Sequence, residues 1–349
     1  MLKTKDIKTI LITGGAGFIG SHFIRFCLRK YPQAKIVNLD KLTYAGNPDN
    51  LAEASKNKNY IFVKGDICDS LLVDSLFAKY QFDWVVNFAA ETHVDRSLTQ
   101  ANDFIRTDIL GTQVLLEASN KYNPKVYLQI STDEVYGDIP KGRFAKEIDP
   151  LNPSSPYAAS KAGGDMQVLA YFKTYKVPVI ISRCTNNYGP NQYPEKIIPL
   201  FVTNLLENKK IPLYDGGSQI RDWLYVSDHI SALDLILNNG KIGEIYNIGA
   251  GHKNEITNKK LTEVILKNLG QSENMIEEAF GLRPGHDRRY AVDTAKIRQL
   301  GWRPKIDFET GIKRTIKWYQ TNQGWWQKIK SGQYLEYYKK HYNNSKCKN

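Results

Sequence analysis

Two groups of residues in this chain have the types and spacing to move protons. The first is Asp133-Glu134, within Leu128-Gln129-Ile130-Ser131-Thr132-Asp133-Glu134-Val135-Tyr136-Gly137. The stretch begins as an apolar strand, Val126 to Ile130, and ends in polar, reactive side chains. Neighbours on a strand face opposite sides, so both carboxyls can reach one ligand only if the chain leaves the strand near Thr132, in a turn or at a helix start. Two carboxylates held close do not both ionise easily, and one pKa rises. One then suits a general acid and the other a base. Standing alone, the same run would be an ordinary hydrophilic loop. The second group is Tyr157-Ala158-Ala159-Ser160-Lys161. A lysine charge beside a phenol favours the phenolate, drawing its pKa from about 10 toward neutrality. Such a base can take a hydroxyl proton while hydride leaves the same carbon. The same Tyr-x-x-x-Lys pattern recurs at Tyr60 and Lys64 on a candidate strand, where it reads as structural.

The elements around these groups decide whether they can act together. Alanines, Gly163-Gly164 and the apolar spacing of Met166, Leu169, Ala170 and Phe172 predict an amphipathic helix, which sets Tyr157 and Lys161 one turn apart on one face. Near the start of the chain, the apolar strand Thr9 to Thr13 runs into Gly14-Gly15-Ala16-Gly17-Phe18-Ile19-Gly20. A helix follows, with Phe18, Ile19, Phe23, Ile24 and Leu28 on one buried face. Strand, glycine loop and helix in that order are the context of a dinucleotide-binding fingerprint. Gly14, Gly17 and Gly20 permit the tight turn and the close approach of backbone to a pyrophosphate at the helix start. The second strand, Lys35 to Leu39, ends in Asp40, where an acid bonds the ribose hydroxyls of NAD and repels the extra phosphate of NADP. Lys41 follows it directly.

A third strand, Tyr60 to Lys64, brings Asp66 and Ile67 to the adenine edge. A fourth, Asp83 to Phe88, leads to Ala89 and Ala90, small enough for a flat cofactor to pass, and then to His93 and Arg96. A helix from about Asn102 to Tyr122 precedes the acid-pair strand, and a further strand runs from Val177 to Arg183. Beyond Cys184 the strand–helix alternation loosens. Glu195, Lys196, Arg221, Asn247, Arg283 and His286 are polar groups scattered through loops; Arg221, Arg283 and Lys196 could clamp a diphosphate or a sugar.

The fold expected is α/β: a Rossmann-type doubly wound parallel sheet with a smaller C-terminal α/β substrate-binding domain. Residues 1–185 make the NAD-binding half, 186–324 the substrate domain with some chain crossing between the two, and 325–349 a basic, aromatic tail. The 349 residues are 42% hydrophobic and 24% charged, a soluble globular composition. No run approaches about 18 uninterrupted apolar residues, and the first eight residues lack the apolar core of a signal peptide. Cys27, Cys68, Cys184 and Cys347 show no metal-type spacing, so no metal is expected and a reducing cytosol fits. The net charge is +12, but Lys313 to Asn349 alone carry nine Lys or Arg against one Glu. That segment also carries Trp318, Tyr319, Trp325 and Trp326, and reads as a helix laying its rings on the body rather than as a nucleic-acid surface.

Taken together, these motifs resemble the extended short-chain dehydrogenases/reductases and, more narrowly, the dTDP-glucose 4,6-dehydratases. The likeness covers roughly residues 8 to 320. It is carried by the glycine loop, Ala89-Ala90-Glu91-Thr92-His93-Val94-Asp95-Arg96-Ser97, Tyr157 to Lys161, Asn186-Asn187-Tyr188-Gly189-Pro190, Arg221-Asp222-Trp223 and Arg283-Pro284-Gly285-His286. The narrowest motif is Thr132-Asp133-Glu134, since related epimerases lack the acid pair. The resemblance implies tightly bound NAD and a three-stage reaction on dTDP-glucose. Tyr157, with Thr132 and Lys161, serves oxidation at C4; Glu134 and Asp133 serve loss of water across C5 and C6; hydride then returns to C6. It also implies that His93, Asn187, Glu195, Lys196, Arg221, Asn247, Arg283 and His286 surround the nucleotide sugar. A homodimer through helices near 102–122 and 157–175 is expected, with no nucleic-acid or membrane partner. Arg106-Thr107-Asp108 departs from a more usual Thr-Asn-containing triplet, away from the expected proton-transfer groups. The alternatives are a UDP-sugar 4-epimerase, a UDP-glucose 4,6-dehydratase and a non-catalytic nucleotide-binding protein.

Overall fold

Strands buried on both faces need helices on both sides, and the chain supplies them. The computed structural model describes residues 7–251, 255–279 and 287–332. Its main sheet is built from β1 (Thr9–Thr13), β2 (Lys35–Asp40), β3 (Tyr60–Lys64), β4 (Trp84–Asn87), β5 (Val126–Thr132) and β6 (Val179–Cys184). β4, β5 and β6 are buried along their whole length. The helices Phe18–Lys30 and Val226–Asn239 close one face around Phe23, Ile24, Ile230 and Leu233. Ser70–Tyr80, Thr112–Tyr122 and Pro156–Tyr175 close the other around Phe77, Leu115 and Val168.

The remaining strands are β7 (Asn186–Tyr188), β8 (Ile211–Tyr214), β9 (Ile220–Tyr225), β10 (Ile245–Ile248), β11 (Glu255–Thr257) and β12 (Ile276–Ala279). The main sheet has seven parallel strands in the order β10-β6-β5-β4-β1-β2-β3. The order reverses between β1 and β4, and the crevice at the carboxyl ends there is where open α/β sheets take their ligands. The edge strand β10 comes from far along the chain and pairs Ile245–Ile248 with Ile181–Cys184. The smaller half has a three-stranded sheet β11-β9-β7 and a pair β12-β8, with a core that includes Ile198, Phe201, Trp223, Leu261 and Ile312.

The aromatic segment near the end lies on this core. In the helix Gln323–Lys330, Trp326 is buried and donates to the Tyr319 carbonyl at 2.8 Å, while Trp325 donates to Asn50 Oδ1 at 3.0 Å. Lys328 and Lys330 pair with Asp49 and Glu207, each at 2.7 Å. No helix among the described residues is long and apolar enough to cross a membrane.

One element differs from its sequence reading. The helix expected over 102–122 is helical throughout but winds as a π-helix over Ile105–Gly111, between Ala101–Phe104 and Thr112–Tyr122. It lies against Gly163 and Gly164 of the next helix, where a Cβ on Gly164 would come within 2.7 Å of the Asp108 carbonyl oxygen. The glycines bring the two backbones together, and Asp108 is carried toward the Tyr157–Lys161 turn.

Candidate active site

The site is assembled at the carboxyl ends of the main strands. Gly14, with φ +64°, turns the chain out of β1 so tightly that a Cβ there would meet the Ala89 backbone nitrogen at 2.6 Å. A Cβ on Gly20 would fall 2.5 Å from the Gly14 carbonyl oxygen, so the helix can sit this close only with glycine. Gly17 caps that helix without a side-chain hydrogen bond, leaving its first N–H groups available to an anion. Gly14, Gly17, Phe18, Ile19 and Gly20 line one cleft with Asp40, Asp66, Ile67, Ala89 and Ala90. Asp40 is buried and accepts from the backbone N–H groups of Ala16 and Leu42, both at 2.8 Å. Lys41, its neighbour in sequence, pairs with Asp66 at 2.8 Å.

The same cleft holds Thr132, Asp133, Glu134, Tyr157 and Lys161. β5 stays extended through Thr132 and then enters a 3-10 turn, Asp133–Tyr136. That turn lets neighbouring carboxyls address one space. The Thr132 hydroxyl accepts from the Glu134 N–H and donates to Asp133 Oδ1, each at 3.3 Å. Burial and then the adjacent Glu134 push Asp133 well above the usual carboxylate range, against the pull of Arg221. Burial also raises Glu134, opposed by Arg221 and Lys196.

Tyr157 and Lys161 stand on the first turns of the Pro156–Tyr175 helix, which Ser155 caps by accepting from the Ala158 N–H at 3.1 Å. Lys161 Nζ donates to the Ile130 carbonyl at 2.8 Å. The expectation that lysine draws the phenol toward neutrality does not hold in the protein by itself. Burial, then Glu134 and Asp108, push Tyr157 well above 10, and the neighbouring Thr132 hydroxyl opposes the rise. The physical reason is the company the phenol keeps: three carboxyls act on it, while the lysine is held by a carbonyl and offsets Asp108.

A second cavity meets the first, and Glu134, Asn187, Glu195 and Lys196 line both. His93, Arg221 and Tyr290 line the second alone. Arg221 is buried, with its guanidinium fixed on the carbonyl oxygens of Ile220, Asp287 and Arg288 and 4.1 Å above the Tyr290 ring. Glu195 accepts from the Tyr44 hydroxyl at 2.9 Å, and Arg96 stacks 3.7 Å over the Tyr44 ring. Asn247 lines neither cavity. It is fully buried on β10, accepting from the Tyr136 hydroxyl at 2.9 Å and donating to the Ala145 carbonyl at 3.0 Å, the bonds of a structural residue. Arg283 and His286 lie outside the described residues.

Two functional neighbours escape a reading of the sequence. Asp108 lies within electrostatic reach of the proton-transfer groups: it is buried, accepts from Ser160 Oγ at 2.6 Å and from the Glu91 N–H at 3.2 Å, raises Tyr157 through its charge and is itself opposed by the charge of Lys161. Burial raises Asp108 to about 6 and, with Asp108 and Asp103 nearby, raises Glu91 to about 7. The signal is present in the unusual triplet, but only the π-turn shows where it points. Because the folded value exceeds that of an unfolded aspartate, the favourable protonated state is present below about pH 4 and is lost as pH rises through 6. Replacing Asp108 by Asn, which keeps the shape without the charge, is therefore expected to stabilise the fold above pH 7 by up to roughly 3 kcal/mol and to add almost nothing near pH 4. Denaturant titrations of both proteins at the two pH values check this; an equal difference at both would show that the charge is not the cause.

Residues 11–315 match the family described as GDP-mannose 4,6 dehydratase. A dTDP-glucose 4,6-dehydratase of Streptomyces niveus is 50% identical over 327 residues, 92% of this chain and 96% of that one. The crystal structure of a dTDP-glucose 4,6-dehydratase of Streptomyces venezuelae, with NAD and TYD bound, is 47% identical with a TM-score of 0.88, covering 92% of this chain and 99% of that one. The UDP-glucose 4-epimerase of Thermotoga maritima, with UDP-glucose, reaches a TM-score of 0.83 at 29% identity, covering 90% of this chain and 99% of that one. The backbone is thus shared with enzymes of different chemistry, while identity is far higher to the two dehydratases than to the epimerase. With the family match running from the first strand into the Phe308–Thr321 helix, the chain belongs to the GDP-mannose 4,6-dehydratase family of extended short-chain dehydrogenases/reductases.

Proposed function

We propose that this protein converts dTDP-glucose to dTDP-4-keto-6-deoxyglucose, an NAD-dependent hydro-lyase reaction in which the cofactor ends each turnover as it began. The observation that carries the reading is one cleft holding both the Tyr157–Lys161 turn and the Asp133–Glu134 pair. A simple dehydrogenase or an epimerase has no use for the second. The glycine cradle, the uncapped helix start and Asp40 suit NAD, which when bound supplies the hydride acceptor and donor. Gly14, Gly17, Phe18, Ile19 and Gly20 hold its phosphates and the adjoining wall, Asp40 its ribose, Asp66 and Ile67 its adenine edge, and Ala89 and Ala90 its path across the sheet.

Raised in the protein alone, the Tyr157 phenol would become a base beside the positive charges that Lys161 and a bound nicotinamide would supply; it takes the proton of the sugar's C4 hydroxyl, Thr132 hydrogen-bonds that oxygen and Lys161 would orient the nicotinamide ribose. The C4 ketone acidifies the C5 hydrogen, which Glu134 removes while protonated Asp133 donates to the departing C6 hydroxyl. Glu134 finally returns a proton to C5. A buried acid kept neutral beside an ionised one suits these two roles. His93, Asn187, Glu195, Lys196 and Arg221 line the space left for the nucleotide sugar. We assign the same surroundings to Arg283 and His286, on the family resemblance. A homodimer through the Asn102–Tyr122 and Pro156–Tyr175 faces is supported by exposed Leu98, Ile105, Leu110 and Met166 on and beside them; light scattering that gave a monomer's mass would reject it.

Purified protein with no added cofactor, offered dTDP-glucose and separately UDP-glucose in D2O, tests the reading by proton NMR. A 6-deoxy-4-keto sugar with deuterium at C5, formed faster from the thymidine nucleotide, is the expected product. A galactose product, or none even with NAD supplied, would overturn it.

A further inference from the structure

The aromatic helix near the end of the chain has no place in the reaction proposed above, yet one side chain connects it to the glycine loop. Asn50, 5% exposed, donates from Nδ2 to the Ala16 carbonyl at 2.9 Å. Its Oδ1 accepts from the Trp325 indole at 3.0 Å and from Asn191 Nδ2 at 3.2 Å. The Asn47 N–H also donates to the Ala16 carbonyl, at 3.1 Å, and the Ala16 N–H donates to Asp40 Oδ2 at 2.8 Å. Asn50 thus ties together the loop after β1, the segment after β7 and the Gln323–Lys330 helix.

The chemistry of the donors gives this chain of bonds a direction. An indole N–H can only donate, and a peptide carbonyl can only accept. Trp325 therefore turns the Asn50 amide oxygen toward itself and leaves the NH2 end facing Ala16. Arg25, also donor-only, does the same at one remove by donating to Asn191 Oδ1 at 3.3 Å. Gly14, Gly17 and Phe18 line the cleft, whereas Ala16, Asn47 and Asn50 do not. The bonds to Asn47 and Asn50 consequently hold the Ala16 carbonyl oxygen on the side away from the cleft. A rotated Ala16–Gly17 peptide would turn that oxygen toward the cleft, against the negative charge of a diphosphate at the helix start. Trp325 is itself kept in place by Trp318 and Tyr319, whose rings meet it edge-on with centroids 5.1 and 6.4 Å away.

We infer that Trp325 is a positioning residue for the dinucleotide, acting through Asn50 to keep the glycine loop in the form that receives the phosphates. This rests on the NAD reading above. Neither Trp325 nor Asn50 lines the cleft, so what they govern is how long NAD stays and not how fast the sugar is converted. A cofactor that ends each turnover as it began gains nothing by leaving, and slow release suits such a reaction. The terminal helix therefore acts on the far half of the molecule: it clasps the loop that holds the cofactor.

The test reads cofactor release as well as activity. Holoenzyme is diluted into buffer, and the NAD that escapes is collected by ultrafiltration over time. From Trp325→Phe, which keeps an aromatic ring without the N–H, NAD should leave roughly three- to tenfold faster than from the parent, the range for loss of one hydrogen bond. Asn50→Asp, whose carboxylate cannot donate to Ala16, should release it faster still. With NAD in excess, both variants should match the parent's kcat and its KM for dTDP-glucose. Lys328→Ala removes the pair with Asp49 from the same helix and leaves Asn50 untouched, so its release should equal the parent's. Adding Trp325→Phe to Asn50→Ala should change release no further, because the indole then has no amide to orient. Unchanged release from Trp325→Phe, equal acceleration by Lys328→Ala, or additive effects of Trp325→Phe and Asn50→Ala would each overturn the inference. A parent enzyme that binds no NAD would instead sink the cofactor reading, so the two failures are distinguishable.

Discussion

Glu134→Gln should halt the reaction after C4 oxidation and before water loss. The amide keeps the side chain's shape but cannot accept the C5 proton, and loss of a positioned base costs about 10²–10⁴-fold in rate. The near-ultraviolet absorbance of reduced nicotinamide should accumulate on mixing with dTDP-glucose, because oxidation at C4 relies on Tyr157 and not on Glu134. The substitution also removes one of the two main influences that raise Asp133, so the remaining acid should titrate lower than in the parent. Any residual product should still carry deuterium at C5 from D2O, because loss of water leaves that carbon without hydrogen; what falls is the rate at which it forms. Stopped-flow absorbance and the same NMR measurement check both points; undiminished kcat with normal C5 exchange would remove Glu134 from the mechanism.

The second large effect is on stability. Arg183 on β6 and Asp165 on the Pro156–Tyr175 helix form a pair at 2.9 Å, with side chains 2% and 0% exposed. Ser131 donates to the same carboxylate oxygen at 3.0 Å, and Arg183 donates to the Tyr136 hydroxyl at 2.8 Å. This network fastens the strand before the acid pair and the turn after it to the helix that carries Tyr157. Burial raises Asp165 and Arg183 opposes the rise, so the charged pair persists only as a unit. Asp165→Ala strands a guanidinium in the core and is expected to cost about 3–5 kcal/mol, lowering the melting midpoint by roughly 10 °C. Asp165→Ala combined with Arg183→Met should recover much of that loss, since it is the unpaired charge that is expensive. Calorimetry on the three proteins decides it; a single-variant loss below about 1 kcal/mol would mean that water or another group takes over the arginine.

How much of this is legible in the sequence depends on the range over which each feature is determined. The parallel sheet can be read from β1, β4, β5 and β6 because strands buried on both faces leave continuous apolar runs, and the glycine loop announces its own turn. The departure of the chain from β5 at Thr132 can be stated as a condition from two adjacent acids alone. Asp108 can be noticed but not placed, because a π-turn leaves no periodicity of its own and its approach to Tyr157 depends on Gly163 and Gly164 in another helix. The Arg183–Asp165 pair joins a strand to a helix, and neither letter names the other. Asn247 stands out as a polar residue in a loop-rich region, yet it is an edge-strand residue whose amide serves the Tyr136 turn. The phenol's environment is misjudged from sequence for the same reason: spacing shows the lysine one turn away but not the three carboxyls gathered from other elements.

The edge strand β10 has a consequence for how the protein is made. β6 leaves the ribosome with one side of its backbone unpaired, in the sequence Val179-Ile180-Ile181-Ser182-Arg183-Cys184, and its partner Ile245–Ile248 is synthesised some sixty residues later. An uncovered apolar edge is a template for pairing with another chain. During that interval the nascent polypeptide carries its greatest hazard of sticking to its neighbours on a polysome. A truncation after β9 would make the hazard permanent, whereas any chain that extends past Ile248 carries its own edge cover.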